Sequence, residues 1–380
     1  MKVVIAPDSF KGSLSSVSAA QIIANAFKSV NEKFEVLTVP VSDGGEGFVE
    51  SLHFSIGGKL IESIVTGPLP YQRVKAKFLT FDSTAVIEMA SASGLTLVPE
   101  GKRDPKVTTT YGVGELIKKA IELGAKQIIV GVGGSATNDG GMGMASALGY
   151  KFIGENGKRI KQGGINLLKL KDIDDSEVDE RIRSVNFKVA VDVLNPLCGP
   201  SGASFVYGPQ KGAKKSDLKK LDMALRKLAK VVKKKYGIDI ENLPGAGAAG
   251  GLSGGLVAFC GAEIVKGIDL FLDMVKFDEK IKDAKLIITG EGKIDSQVKY
   301  GKVLTGIVEK AKRWNVPVVA ITGKIEGDML QLSRSIGLVS IFSMTNLSMT
   351  ENFAMKNADK ILFNTAVQIA NLIEGLCLKF

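Results

Sequence analysis

The sequence predicts an α/β protein of two domains, one assembled from both ends of the chain and the other, with a mixed sheet, inserted between them. Three observations carry that reading. Short apolar runs alternate with stretches of helical periodicity, the pattern of strand-plus-helix units. Several of the runs are rich in Val and Ile without polar alternation, as expected of parallel strands covered on both faces. Two such runs lie at the N-terminus and three at the C-terminus, while a hairpin and the longest glycine-rich loops lie between them. Length agrees, because 380 residues exceed a typical single core. The expected boundaries are 1–65 plus 285–380 for the discontinuous domain and 66–284 for the inserted one.

Taken in order, residues 3–7 read as a buried first strand. The opening MKVVIAPDSF is too short in apolar residues for a signal peptide, since Asp8 interrupts it. A helix over 16–28 and a strand over 35–40 follow. Strands 75–81 and 85–89 are separated only by Asp82, Ser83 and Thr84, so they read as an antiparallel hairpin. A helix over 110–123 leads to strand 127–131, and strand 187–191 comes later. In 211–235, the spacing of Leu218, Leu221, Leu225, Leu228 and Val232 is helical, with lysines on the outer face. Strand 285–289, helix 303–312 and strands 317–322 and 338–343 complete the pattern. No internal repeat and no low-complexity linker interrupts it.

Composition removes several classes of function. Apolar residues make up 45% and charged residues 24%, a globular balance. No apolar run reaches the roughly 18–20 residues a membrane span requires. The cysteines Cys198, Cys260 and Cys377 form neither a metal spacing nor a disulfide framework, which fits a reducing cytoplasm. The charge of +10 is spread along the chain, and the densest lysines read as a solvated helix face rather than a nucleic-acid surface. The single histidine, His53, ends an amphipathic stretch and reads as structural. Without it, Ser-His-Asp, Cys-His and His-ligated metal chemistry have no residues to use. No G-x-x-x-x-G-K-[S/T] motif is present. What remains is glycine loops, carboxylates and lysines, the components of phosphoryl transfer.

Most of the polar clusters follow strand candidates, where open α/β sheets bind ligands. After the first strand come Asp8, Ser9, Lys11 and Ser13. They offer an anion site at a helix N-terminus, or ordinary capping by Ser13, Ser15 or Ser16. After the second come Ser42, Asp43 and Glu46 among glycines, able to bind a metal or a substrate hydroxyl, or to form a plain turn. The loop 131–141 contains Gly133, Gly134, Ser135, Asn138 and Asp139. Its successive glycine N–H groups could cradle phosphates, and it is longer than chain reversal requires. Asp192 ends strand 187–191 and is placed as a general base, with Asn195 following; a turn before Pro196 is the alternative. Glu291 and Asp295, in the segment ending at Ser296, are candidate Mg²⁺ ligands, and Lys293 could offset phosphate charge. The segment 245–255, with Gly247, Gly250, Gly251 and Gly254, formally contains G-x-G-x-x-G, but no strand precedes it as a dinucleotide fingerprint needs. By themselves these residues describe an α/β enzyme that uses a nucleotide or a phosphate.

The segments APDSFKGSLS, VSDGGEG, GVGGSATNDGGMGM, DVLNPLCGPSGASFVYGPQKGA, GAGAAGGLSGGL and TGEGKIDSQ resemble, in content and order, the glycerate kinase family of two-domain bacterial enzymes. One departure is Val298 after Gln297, where related sequences often carry a hydroxyl residue. The resemblance implies a Rossmann-like domain from the chain ends, an inserted α/β domain and an active site in the cleft between them. It implies phosphorylation of D-glycerate by ATP with Mg²⁺, and 2-phosphoglycerate is placed ahead of 3-phosphoglycerate as product. Expected catalytic residues are Asp192, Lys11 and Asp43. Glycerate is expected at Asp8, Ser9, Lys11, Ser42, Glu46 and Asn195, and ATP at the two glycine-rich loops. Mg²⁺ is expected at Glu291 and Asp295. The expected partners are these small molecules, with a homodimer left open and neither nucleic acid nor membrane involved. The competing reading is an NAD(P)-dependent oxidoreductase of a small hydroxy acid.

Overall fold

The structure is a computed structural model that describes residues 1–295, 303–345 and 348–377. Its strands, in chain order, are β1 (Lys2–Pro7), β2 (Glu35–Thr38), β3 (Lys59–Thr66), β4 (Arg73–Phe81), β5 (Thr84–Glu88), β6 (Gln127–Gly131), β7 (Lys151–Gly154), β8 (Leu170–Asp174), β9 (Asn186–Val191), β10 (Glu263–Lys266), β11 (Leu286–Ile294), β12 (Val318–Ile325) and β13 (Ser340–Ser343). The chain divides into two compact units. The first is Met1–Asp43, Glu50–Gly57 and Ile268–Phe380; the second is Gly44–Val49 and Gly58–Gly267.

These boundaries differ from those expected at 65/66 and 284/285. Strand β3 belongs to the second unit because it pairs along its whole length with β4, from Lys59↔Thr80 to Thr66↔Arg73. The helix Gly267–Met274 falls almost wholly in the first, where Ile268 packs against Gly306. Strand β3 itself was not read in the sequence, and periodicity carries no record of what a segment pairs with or packs on.

The first unit holds a five-stranded parallel sheet in the order β13-β12-β11-β1-β2. Numbered within the unit, that order is 5-4-3-1-2, the flavodoxin-like member of the doubly wound class, with its switch point between β1 and β11. Val3, Ile5, Ile288 and Ile321 are buried against Phe27, Leu362 and Ile369 of the helices Ser16–Val30 and Ala358–Cys377. Ser15 caps the first of these helices, accepting from Ser18 N–H at 3.2 Å.

The second unit holds a six-stranded mixed sheet in the order β10-β9-β6-β5-β4-β3. Its β10, β9, β6 and β5 run parallel, and the expected hairpin continues it antiparallel through β4 and β3. A separate two-stranded sheet, β7-β8, went unread in the sequence, as did β3 and β10. The helix Lys215–Tyr236 buries Leu221, Leu225, Leu228 and Val232 and turns Lys219, Lys220, Lys230 and Lys234 outward, as the spacing predicts. His53 lies near the end of the helix Phe48–Ile56, its ring 3.3 Å from the Gly57 carbonyl, in keeping with a structural role. No described helix is long and apolar enough to cross a membrane.

Candidate active site

In the first unit, the chemistry gathers at the switch point. The N–H of Asp8 donates to the Gly290 carbonyl at 2.8 Å, which ties the end of β1 to β11. Val41 N–H donates to the Pro7 carbonyl at 3.0 Å and carries the chain toward Ser42 and Asp43 on the other side of β1. Asp8 is only 8% exposed, and its carboxylate accepts Ser9 N–H at 2.6 Å. Burial raises the Asp8 carboxyl to about 8, with Asp43 and then Glu291 adding to the rise and Ser9 N–H and Lys11 opposing it. Three carboxylates therefore share one electrostatic neighbourhood. Since Ser15 meets the capping requirement, Asp8, Ser9 and Lys11 are left for other work.

Asp295 is not part of that set. Lys293 lies 3.2 Å from Asp295 and 2.7 Å from Glu326, so an ammonium already neutralises the carboxylate proposed for Mg²⁺. Lys293 is itself held by those two acids rather than left for a phosphate. Among the described residues, no group of three or more His, Cys, Asp or Glu has metal-holding geometry. The oxygen donors Asp43 and Glu291 still fit Mg²⁺, which takes one or two carboxylates and completes its shell with water and phosphate. Ser296 and Val298 lie outside the described residues.

In the second unit the chemistry lines the carboxyl ends of β5, β6 and β9, which are neighbours in the sheet. Glu88, Gly131 and Ala190 stand in register there. The segment 44–49 is laid across these ends. Gly133 N–H donates to the Gly44 carbonyl at 3.3 Å, and Val49 N–H donates to the Glu88 carboxylate at 3.4 Å. The glycines at 45 and 133 permit this approach, because a Cβ at Gly133 would overlap the Gly45 Cα. Glu46 is thereby presented at the surface, beside a cavity of about 290 Å³ whose lining includes Lys77, Glu88 and Ser91.

Glu88 was missed by the sequence reading. Burial raises its carboxyl to about 7; the N–H groups of Val49 and Gly47 oppose the rise and Glu46 adds to it. Its signal was present, since an acid closes an otherwise apolar strand end, Ala85-Val86-Ile87. Asp192 follows directly on β9 and is half-buried, in keeping with the position read for it.

Several expected ligand contacts turn out to be internal braces. Asp139 is 0% exposed, and its carboxylate accepts Thr110 N–H (2.8 Å), Thr110 Oγ1 (2.9 Å), Gly141 N–H (3.1 Å) and Gly143 N–H (3.2 Å). It has no face left for a nucleotide. Asn138 is equally buried, with Nδ2 donating to Ser204 Oγ at 3.0 Å. Asn195 donates to the Ser201 carbonyl at 2.7 Å and accepts from Tyr207 Oη at 2.6 Å, so both ends of its amide have partners within the protein.

The glycines 247, 250, 251 and 254 are all buried. A Cβ on Gly247 would strike the Pro196 carbonyl, and one on Gly250 would strike that of Thr137. Gly251 meets Leu197, and Gly254 meets Ala246. These residues let loops of the protein pack closely together. The other glycine loop keeps an open crest, where Gly133 is half-buried and Gly134 exposed, followed by Ser135.

A doubly wound sheet with polar groups at its switch point, together with a second sheet that presents a glycine crest and acids at its strand ends, is the framework of an α/β enzyme. Comparison with known proteins narrows the class. The glycerate kinase family matches residues 3–374. A glycerate kinase of Bacillus subtilis (strain 168) is 46% identical over 376 residues, covering 98% of each chain. A glycerate 2-kinase of Escherichia coli (strain K12) is 46% identical over 360 residues, covering 94% of each. A crystal structure assigned as a glycerate kinase 2 from Salmonella typhimurium LT2 superposes with a TM-score of 0.85 at 43% identity, covering 99% of this chain and 98% of that one. The chain belongs to the glycerate kinase family, and it is a kinase. The oxidoreductase reading is set aside.

Proposed function

We propose that the chain transfers the γ-phosphoryl group of ATP to a hydroxyl of D-glycerate, with Mg²⁺, and that the 2-hydroxyl is the acceptor. The observation that carries the reading is near-full-length similarity to glycerate kinases at 46% identity, among them one named for the 2-position. The cationic and acidic groups at the strand ends are what such a reaction needs.

Roles are assigned unit by unit. In the first, Lys11 and the backbone around Ser9 would take the substrate carboxylate, with Ser42 beside them. Asp8, buried beside them, would orient Ser9 through the 2.6 Å hydrogen bond its carboxyl accepts from Ser9 N–H. Asp43 and Glu291 would hold Mg²⁺, which when bound offsets charge on the phosphate oxygens. In the second unit, the Gly133–Gly134 crest and Ser135 would meet the phosphates, and Glu46 would touch substrate. Asp192 would accept the hydroxyl proton as the oxygen–γ-phosphorus bond forms. The bond between the γ-phosphorus and the β,γ-bridging oxygen breaks, and ADP leaves with that electron pair.

The test is ³¹P NMR of the product formed from Mg²⁺-ATP and D-glycerate. A 2-phosphoglycerate resonance is expected. A 3-phosphoglycerate resonance would move the acceptor to the other hydroxyl, and no phosphoglycerate from folded protein would refute the substrate.

A further inference from the structure

Lys211 has no part in the roles above, although it lies in the segment YGPQKGA. It is 2% exposed, among the deepest lysines a protein of this kind can hold. Its Nζ donates to Ser135 Oγ at 2.7 Å and to the Thr137 carbonyl at 2.7 Å. Among the described residues no carboxylate forms an ion pair with it, and two acceptors serve three N–H donors. Burial lowers the amine to about 7, while the charge of Asp139 pulls it upward.

Both acceptors belong to the loop with the open crest. Ser135 follows Gly134 directly, and Thr137 comes two residues later. Holding them fixes the backbone at Gly134, which has a φ of +68°. Lys211 also brings its positive charge to the residue next to that crest.

We propose that Lys211 is a positioning residue for the nucleotide: it holds Ser135 and Thr137 so that the exposed backbone at Gly134 faces the phosphates. The inference rests on the assignment of this loop to ATP in the proposed function.

Steady-state kinetics with Mg²⁺-ATP and D-glycerate test it on wild type, Lys211→Met, Ser135→Ala and the double variant. Lys211→Met should raise the KM for Mg²⁺-ATP about 10-fold or more while the KM for D-glycerate stays within about two-fold. Ser135→Ala should raise the nucleotide KM less, and the double variant should be no worse than Lys211→Met, because the two act through one contact. An unchanged nucleotide KM, or equal rises in both KM values, overturns the inference and leaves Lys211 a fold brace. If Lys211→Met does not fold, Lys211→Gln, which keeps a donor and removes the charge, takes its place, and a nucleotide KM equal to wild type overturns the inference. If wild type does not turn over D-glycerate, the proposed substrate fails, and Lys211 is then judged by calorimetric titration of the same proteins with Mg²⁺-ATP.

Discussion

Residue chemistry separates the groups that can meet a ligand from those that only hold the loops. Asp139 and Asn195 look alike in sequence to Asp192, each a short polar residue near a strand end. The structure distinguishes them by what their oxygens already accept. Asp139 is fully buried and accepts from four donors, and Asn195 is held at both ends of its amide by Ser201 and Tyr207, while Asp192 lies only half-buried at the end of β9. Asp192→Asn keeps the shape and removes the base, so kcat should fall about 10²–10⁴-fold with the melting temperature little changed. A kcat near wild type would take Asp192 out of that role.

At the scale of elements, the glycine loops divide by the company they keep. Ala249, Gly250 and Gly251 run in left-handed conformation, with φ of +54°, +67° and +89°, before the helix Leu252–Cys260 begins. Gly140 N–H donates to the Gly250 carbonyl at 3.0 Å, so this turn locks against the loop 131–141. Gly250→Ala would meet both the positive φ and the Thr137 carbonyl. It should cost about 2–4 kcal/mol, combining ~1 for the left-handed residue with ~1–3 for overpacking. Urea unfolding of the variant checks this, and a loss under about 1 kcal/mol would mean that the loops are not packed as described.

At the scale of the whole molecule, the buried ionisable groups give the stability curve a definite shape. Asp8 in one unit and Glu88 in the other have carboxyls raised from 3.8 and 4.5 to about 8 and about 7. Each folded unit therefore holds a proton that the unfolded chain has lost, and stability falls as pH rises through those windows. Lys211 works in the opposite sense. Its amine is lowered from 10.5 to about 7, so between those values the unfolded chain binds the extra proton and stability rises with pH. Thermal unfolding should show stability falling as pH rises from about 4.5 to 7, where Asp139, its carboxyl also raised by burial, acts in the same direction as Glu88. Glu88→Gln should flatten the acidic limb, and an unaltered limb would mean that Glu88 ionises normally. The sequence by itself determined the α/β class, the parallel runs, the hairpin and the family, because periodicity and contiguous motifs are local properties of the chain. Only the tertiary structure decided that β3 joins the second unit, that Glu88 anchors the segment 44–49, that Asp295 is neutralised by Lys293 and that four glycines serve packing. Each of those depends on which distant atom fills a side chain's hydrogen-bonding capacity or the space a Cβ would occupy, and spacing along one chain carries no record of that.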